Sequence, residues 1–216
     1  MLLSDGKIFI FISSVKAVAD AVDGVLTEED QPSQITVYGK SKVAAENYII
    51  RNLHSNKKVY ILRPCMIHGP GNKGNLNLLY QLVSKGLPWP LGDFQNQRSF
   101  LSIENFCFVI KEFLENETIL PGIYNMADDK PLSTNSLIEI IGQSLEKKSK
   151  ILNIRHSWIN RVAVLGDYLP LPLNIERLQK LTENYMVSNK KIVAAISKPL
   201  PVTVEQGLLR TFESFK

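Results

Sequence analysis

The run Ile8-Phe9-Ile10-Phe11-Ile12 constrains this chain more than any other stretch of it. It is continuous, apolar and built from branched and aromatic residues, which suits a strand buried on both faces of a parallel sheet. It also begins almost at Met1. A central strand needs neighbours on both sides to pair its backbone and cover its faces, so a sheet that opens on this strand lacks part of its expected frame.

From Ile35 to Leu53 the apolar positions Val37, Val43, Ala44, Tyr48, Ile49 and Leu53 recur at three- and four-residue spacing, which predicts a helix. Lys58 to Leu62 reads as a second strand, so residues 8–62 make a strand-helix-strand unit of the crossover type. Arg63 to Asn75, with Pro64, Gly69, Pro70, Gly71 and Gly74, is a loop by composition. Loops leaving the carboxyl ends of parallel strands are where such sheets bind ligands. Helices are expected at Leu76 to Lys85 and Ile103 to Leu114, a strand at Gly122 to Met126, and a helix from Ser133, its N-cap, to Lys147. The last third reads mostly helical, and Thr203-Val-Glu-Gln206 has the form of a capping box opening the final helix.

With 216 residues, 44% of them hydrophobic and 21% charged, the chain can bury a substantial core and reads as one globular domain, or one and a half. Its net charge of +4 is scattered along the chain, short of a nucleic-acid footprint. The adjacent lysines at 57–58, 147–148 and 190–191 read as solvated. Cys65 and Cys107 lie among apolar residues with no CxxC spacing, which indicates neither a disulfide framework nor a zinc site and fits a reducing cytoplasm. The three histidines, His54, His68 and His156, are far apart in unlike settings; His68 reads as a solvated loop residue, and no metal site is expected. The most apolar stretch, Trp158 to Leu173, is broken by Asn160, Arg161, Asp167 and prolines, so neither a membrane span nor a signal peptide is expected.

Of seven tyrosines only Tyr38 has a lysine four residues on, in Tyr38-Gly39-Lys40-Ser41-Lys42. On a helix that spacing puts phenol and ammonium on one face, and a nearby ammonium favours the phenolate, the form a tyrosine needs to act as a base near neutral pH. Taken alone, the string reads equally as an exposed helix start. The strand Ile8 to Ile12 ends in Ser13-Ser14, however, so a hydroxyl emerges at the carboxyl end of a parallel strand, where Ser14 would face the same crevice as Tyr38 and Lys42.

This ordered set resembles the extended short-chain dehydrogenase/reductase family: strand, Ser-Ser, a loop of some two dozen residues, a helix opening on YGKSK, then a strand ending Leu62-Arg63-Pro64 and a Gly-Pro-Gly loop. Within that family the likeness is to NAD-dependent nucleotide-sugar epimerases of the UDP-galactose or UDP-N-acetylhexosamine 4-epimerase type. Arg98 to Ile103, Gly122 to Ala127 and the ending from Pro199 to Phe212 also resemble later family segments, so the likeness covers nearly the whole chain. It implies an α/β fold: a partial Rossmann-type doubly wound parallel sheet, its N-terminal strands missing, with a mostly helical C-terminal substrate lobe. Residues 1–75 would be the remnant of the NAD-binding domain, and 76–216 mostly the substrate lobe, with a segment near 98–130 returning to the Rossmann part.

The resemblance makes Tyr38 the acid/base, and Lys42 the residue that holds the nicotinamide ribose and favours the ionised Tyr38. Ser14 would hydrogen-bond the reacting sugar hydroxyl. Pro64 and Cys65 match the strand end beside the nicotinamide, with the Cys65 side chain read as a small buried apolar group. Asn75 and Leu76 fit the segment that meets the substrate diphosphate and base. Trp89 and Leu91 fit the strand flanking the nucleobase, with core packing an equal reading for Trp89. Arg98 is the expected phosphate contact, since a guanidinium pairs bidentately with diphosphate oxygens; the competing reading is a surface ion pair. The implied partner is a nucleotide sugar, with a homodimer left open.

Two departures stand out. A 4,6-dehydratase needs a further Asp-Glu pair after the strand-end hydroxyl, and here Ser14 is followed by Val15-Lys16, whereas a nucleotide-sugar 4-reductase or dehydrogenase stays open. No GxxGxxG-like string for a cofactor pyrophosphate occurs anywhere. The chain is therefore expected to be the C-terminal two-thirds of a 4-epimerase, short by on the order of 100 residues. By itself it would be weakly active or inactive, or a non-catalytic fragment, would bind NAD poorly, and would leave a sheet edge open beside Ile8 to Ile12.

Overall fold

The computed structural model describes residues 6–33, 35–52, 57–169 and 173–216. In chain order the elements are β1 (Ile8–Ile12), β2 (Val25–Leu26), α1 (Val37–Arg51), β3 (Lys58–Pro64), β4 (Met66–His68), α2 (Asn75–Ser84), β5 (Phe100–Ser102), α3 (Ile103–Glu115), β6 (Gly122–Met126), α4 (Thr134–Ser144), α5 (His156–Tyr168), α6 (Ile175–Thr182), β7 (Met186–Val187), α7 (Lys190–Ile196) and α8 (Val204–Glu213). They fall into two compact units. The first is drawn from Met1–Ile67, Ser99–Pro131 and Tyr185–Val204, the second from His68–Arg98, Leu132–Asn184 and Glu205–Lys216.

In the first unit β1, β3 and β6 form a parallel sheet in that order, with Ile12 opposite Leu62 and Leu62 opposite Tyr124. Successive side chains of a strand point to opposite faces, and this alternation divides the core. Ile8, Ile10, Ile12, Tyr60, Leu62, Tyr124 and Met126 pack with Phe113 of α3 and with Ile192 and Ile196 of α7. Phe9, Phe11, Val59, Ile61 and Ile123 form a second cluster with Ile49 of α1. The result is a sheet covered on both faces by helices, the α/β layering expected from the crossover unit.

Two expectations need correction here. All five β1 residues are only half-buried, because β1 is the sheet's edge among the described residues; the open edge itself is as expected. The stretch from Arg63 is not all loop. β3 runs on to Pro64, the Cys65 N–H donates to the Met126 carbonyl at 3.0 Å, and β4 pairs with β5, so backbone pairing overrides the proline and glycine signals as far as His68.

The helix expected over 35–53 runs from Val37 to Arg51, since Thr36 serves as N-cap and its hydroxyl accepts from the Gly39 N–H at 3.2 Å. Leu53 and His54 lie outside the described residues. Ser133 caps α4 as expected, accepting from the Ser136 N–H, although α4 ends at Ser144 rather than Lys147.

In the second unit α2 and α4 pack together, and Tyr80 lies edge-on to Phe215 at 5.3 Å. The segment expected as a strand around Trp89 instead makes isolated backbone bridges, Trp89 to Ile151 and Leu91 to Asn153. No described helix is long and apolar enough to cross a membrane.

Candidate active site at the carboxyl end of the parallel sheet

β1 ends with its ladder still paired, the Ser13 N–H donating to the Leu62 carbonyl at 2.7 Å. Ser14 then leaves the strand in extended conformation and caps a single 3-10 turn, Val15–Ala17, where its buried hydroxyl accepts from the Lys16 N–H at 3.2 Å. α1 brings two side chains to this strand end. Lys42 donates from Nζ to the Ile12 carbonyl at 3.1 Å, and the same nitrogen lies 5.8 Å from the Tyr38 ring centroid and 5.4 Å from that of Phe11. The Tyr38 ring, one turn earlier, is 53% exposed. An accessible phenol, an ammonium tied to the strand end and a buried hydroxyl are thus gathered at the edge where parallel sheets present their ligands.

Two polar anchors hold α1 in place. At its start, the Asp20 carboxylate accepts from the N–H groups of Ile35 and Thr36 and from the Thr36 hydroxyl. Burial pushes the Asp20 carboxyl up, but these hydrogen bonds and the charge of Lys16 outweigh it and hold the group below the ordinary aspartate value. At its middle, Glu46 is 1% exposed and sits one turn after Lys42. It accepts from Arg63 in a bidentate pair, Nε to Oε1 at 3.0 Å and Nη2 to Oε2 at 2.5 Å, and also from the Ser13 hydroxyl. A buried carboxylate is tolerable when fully paired in this way. The pairing joins α1 to the ends of β1 and β3, and so sets the height at which Tyr38 and Lys42 reach past the sheet.

Ser13, Glu46 and Arg63 were not among the expected site residues. A signal was available: Arg63 is a charge inside a strand that is otherwise nearly all apolar, and Glu46 follows Lys42 at helical spacing. Asn125 lies opposite Arg63 in the sheet, fully buried, with neither side-chain amide atom hydrogen-bonded.

Of the other expected residues, Pro64 closes β3 and Cys65 is buried next to it, both in the first unit. Asn75, Leu76, Trp89, Leu91 and Arg98 all belong to the second unit. Asn75 is the exposed first residue of α2 and Leu76 is buried behind it. Trp89 and Leu91 are buried, and the Trp89 indole donates to Asn135 Oδ1 at 2.9 Å. Arg98 donates to the Lys180 carbonyl at 2.6 Å and lies 3.5 Å from the Glu183 carboxylate.

His68 is not a solvated loop residue. It is buried on β4 with Nδ1 2.9 Å from Thr211 Oγ1, because the strand pairing draws it inward. Cys107, though its sequence neighbours are apolar, is exposed on α3, since the helix period turns it outward. No cluster of potential metal ligands occurs among the described residues.

Comparison with known proteins bears on this site. The chain is 28% identical over 213 residues to a UDP-glucose 4-epimerase of Vibrio cholerae, covering 97% of this chain and 63% of the relative. It is 28% identical over 194 residues to an N-acetyl-alpha-D-glucosaminyl-diphospho-ditrans,octacis-undecaprenol 4-epimerase of Escherichia coli O157:H7, covering 82% of this chain and 56% of that relative. The chain thus spans less than two thirds of the length of these relatives. Its fold resembles that of a Thermus thermophilus UDP-glucose 4-epimerase in complex with NAD, with a TM-score of 0.69 at 21% identity over 97% of this chain and 64% of that one. It also resembles Bacillus cereus UDP-glucuronic acid 4-epimerase in complex with NAD, with a TM-score of 0.70 at 17% identity over 96% and 60%. Residues 2–127, the stretch that carries Ser14, Tyr38, Lys42, Glu46 and Arg63, match the model of one family, and the chain belongs to it: the NAD dependent epimerase/dehydratase family.

Proposed function

We propose that this chain carries the acid/base half of an NAD-dependent C4 epimerase acting on a sugar activated through a diphosphate, of the UDP-hexose or UDP-N-acetylhexosamine type. The observation that carries the reading is Lys42 bound to the Ile12 carbonyl beside Tyr38, two residues from Ser14. Tyr38 would take the proton from the sugar 4-hydroxyl and return it after the transient 4-keto sugar turns over. Ser14 would hold that oxygen, and Lys42 would favour the phenolate. NAD, when bound, supplies the acceptance and return of hydride at C4, so the net reaction is redox-neutral.

The residues present fit the nicotinamide end of such a cofactor: Tyr38, Lys42, Pro64 and Cys65 belong to one unit, at the carboxyl ends of β1 and β3 or one turn from them. No GxxGxxG string for its pyrophosphate occurs in this sequence, and the Gly69–Gly74 stretch that opens α2 belongs to the second unit. In this reading the first unit serves the cofactor. The second, through Asn75, Leu76, Trp89, Leu91 and Arg98, serves the nucleotide sugar, and Arg98 would exchange its ties to Lys180 and Glu183 for phosphate oxygens.

The test is interconversion of UDP-galactose and UDP-glucose, and of the N-acetylated pair, by the chain with NAD supplied. Slow turnover, reached only at NAD concentrations well above micromolar, without net change in reduced cofactor and lowered by about 10²- to 10⁴-fold in Tyr38→Phe, is expected. Stoichiometric oxidation of NADH with a 4-keto sugar would instead identify a reductase, and turnover unaffected by Tyr38→Phe would overturn the assignment.

A further inference from the structure

α5 presents two unlike faces. Ile159 and Ala163 are buried in the second unit, while Trp158, Val162 and Leu165 stand 60, 43 and 53% exposed. At ~100° per residue those three fall within a stripe roughly 60° wide. Exposed Leu169, just past the helix end, extends it. The Arg161 guanidinium lies 5.4 Å from the Trp158 ring, hence beside the stripe, and Tyr168 is almost fully exposed at the far end. Asp167, the one acid of α5, projects about 170° from the stripe's centre.

Between Glu146 and Asp167 the charge of the sequence is of one sign. From Lys147 to Gly166 the chain has Lys147, Lys148, Lys150, Arg155 and Arg161 and no aspartate or glutamate, and all five cations are exposed. Asp93, which approaches the first turn of α5, lies 3.4 Å from His156.

We propose that α5 is a peripheral docking element whose partner is an anionic lipid surface. An apolar stripe bearing tryptophan, with tyrosine at its end and cations at its flank, settles at the depth where headgroups meet acyl chains. The lysines ahead of the helix add attraction to acidic headgroups. A helix of this length cannot span a bilayer, so it would lie in the surface plane. A second copy of the chain is the poorer occupant, because a two-fold contact sets like patch against like patch and would oppose the same five cations.

The experiment is co-sedimentation of the full chain with vesicles of phosphatidylcholine, with and without phosphatidylglycerol, in the absence of cofactor and sugar, so that its outcome is separate from that of the epimerase reading. Of the two tryptophans Trp89 is buried, so a blue shift in emission on vesicles reports Trp158. Binding and blue shift only with phosphatidylglycerol, weakened by salt, are expected. Lys147→Glu with Lys148→Glu and Lys150→Glu should lower partitioning by about a hundredfold or more. Val162→Asp with Leu165→Asp should abolish it with an unchanged circular dichroism spectrum. The exposed lysine variants keep the test decisive should that pair fail to fold. Absence of binding, equal binding to pure phosphatidylcholine, or a solution dimer that Val162→Asp dissociates would overturn the proposal.

Discussion

The Glu46 carboxylate lies in a bidentate ion pair with the Arg63 guanidinium, both side chains almost wholly withdrawn from water, 2% and 5% exposed. Two charges in such a place cost several kcal/mol each to desolvate, and among the described residues they are held by each other and by Ser13. The pair therefore ties α1 and its Tyr38 and Lys42 to the strand ends, at the expense of making either partner alone intolerable.

Removing one partner should then be severe. Glu46→Gln leaves a buried guanidinium without its counter-charge and is expected to cost about 3–5 kcal/mol in urea denaturation. Replacing both residues with leucine should recover most of that loss. A single-variant loss under about 1 kcal/mol would show the pair to be solvated, as surface pairs are.

Asn125 sits beside this pair and poses the opposite case. Its side-chain amide is buried without a hydrogen-bond partner, although its backbone N–H is satisfied by Glu28 at 2.7 Å. A buried amide that makes no bond carries a desolvation cost an alkyl group does not. Asn125→Leu is expected to leave stability unchanged or raise it by about 1 kcal/mol, read as a shift in melting temperature. A loss above about 2 kcal/mol would mean that the amide is engaged.

These polar groups show where sequence reasoning stops. The strand Ile8–Ile12, the strand Gly122–Met126 and the cap at Ser133 stand in the structure where periodicity and capping chemistry put them, because each is a local preference that tertiary packing did not oppose. The closeness of Tyr38 and Lys42 was legible because the two lie about one helical turn apart on α1. The Glu46–Arg63 tie joins residues 17 positions apart on different elements, and only the crossover brings them together. His68 was misread for the same reason, since its partner Thr211 lies 143 positions away.

Asp20 makes the entry to α1 pH-dependent. Its carboxyl is held below its ordinary value of 3.8 despite burial, by Thr36, Ile35 and Lys16. A carboxylate with a depressed folded value contributes stability that is whole above the unfolded value and is lost as pH falls through the folded one. Wild type should therefore exceed Asp20→Asn in denaturation midpoint at neutral pH, and the two curves should converge as pH drops below 3.8. A gap that persists into strong acid would assign the effect to shape rather than charge.

In the second unit Gly92 is required by close approach. A Cβ there would stand 2.7 Å from Ile151 Cγ2 and 2.9 Å from the Leu152 carbonyl oxygen. The backbone oxygen cannot retreat without breaking the Gly92 N–H to Leu152 carbonyl bond of 3.1 Å. Gly92→Ala is expected to cost about 1–3 kcal/mol by overpacking and to lower the melting temperature. An unchanged melting temperature would show that the 151–153 segment yields freely.

The cofactor itself gives the last test. Pyrophosphate is held in this class of fold by backbone N–H groups of a glycine-rich turn between the first strand and a helix N-terminus; the 216-residue sequence has no GxxGxxG string, and its Gly69-Pro-Gly-Asn-Lys-Gly74 stretch opens α2 in the second unit rather than following β1. The groups that remain, Lys42 and Tyr38 above all, would contact the nicotinamide ribose, where the ammonium meets neutral hydroxyls rather than phosphate charge and binding energy per contact is small. Titration calorimetry of the chain with NAD should therefore show no saturation in the micromolar range. Whatever weak binding exists should be lost in Lys42→Met, which also releases the Ile12 carbonyl. A micromolar dissociation constant would overturn the expectation and require a phosphate cradle built from other backbone groups of this chain, which Lys42→Met would leave largely intact.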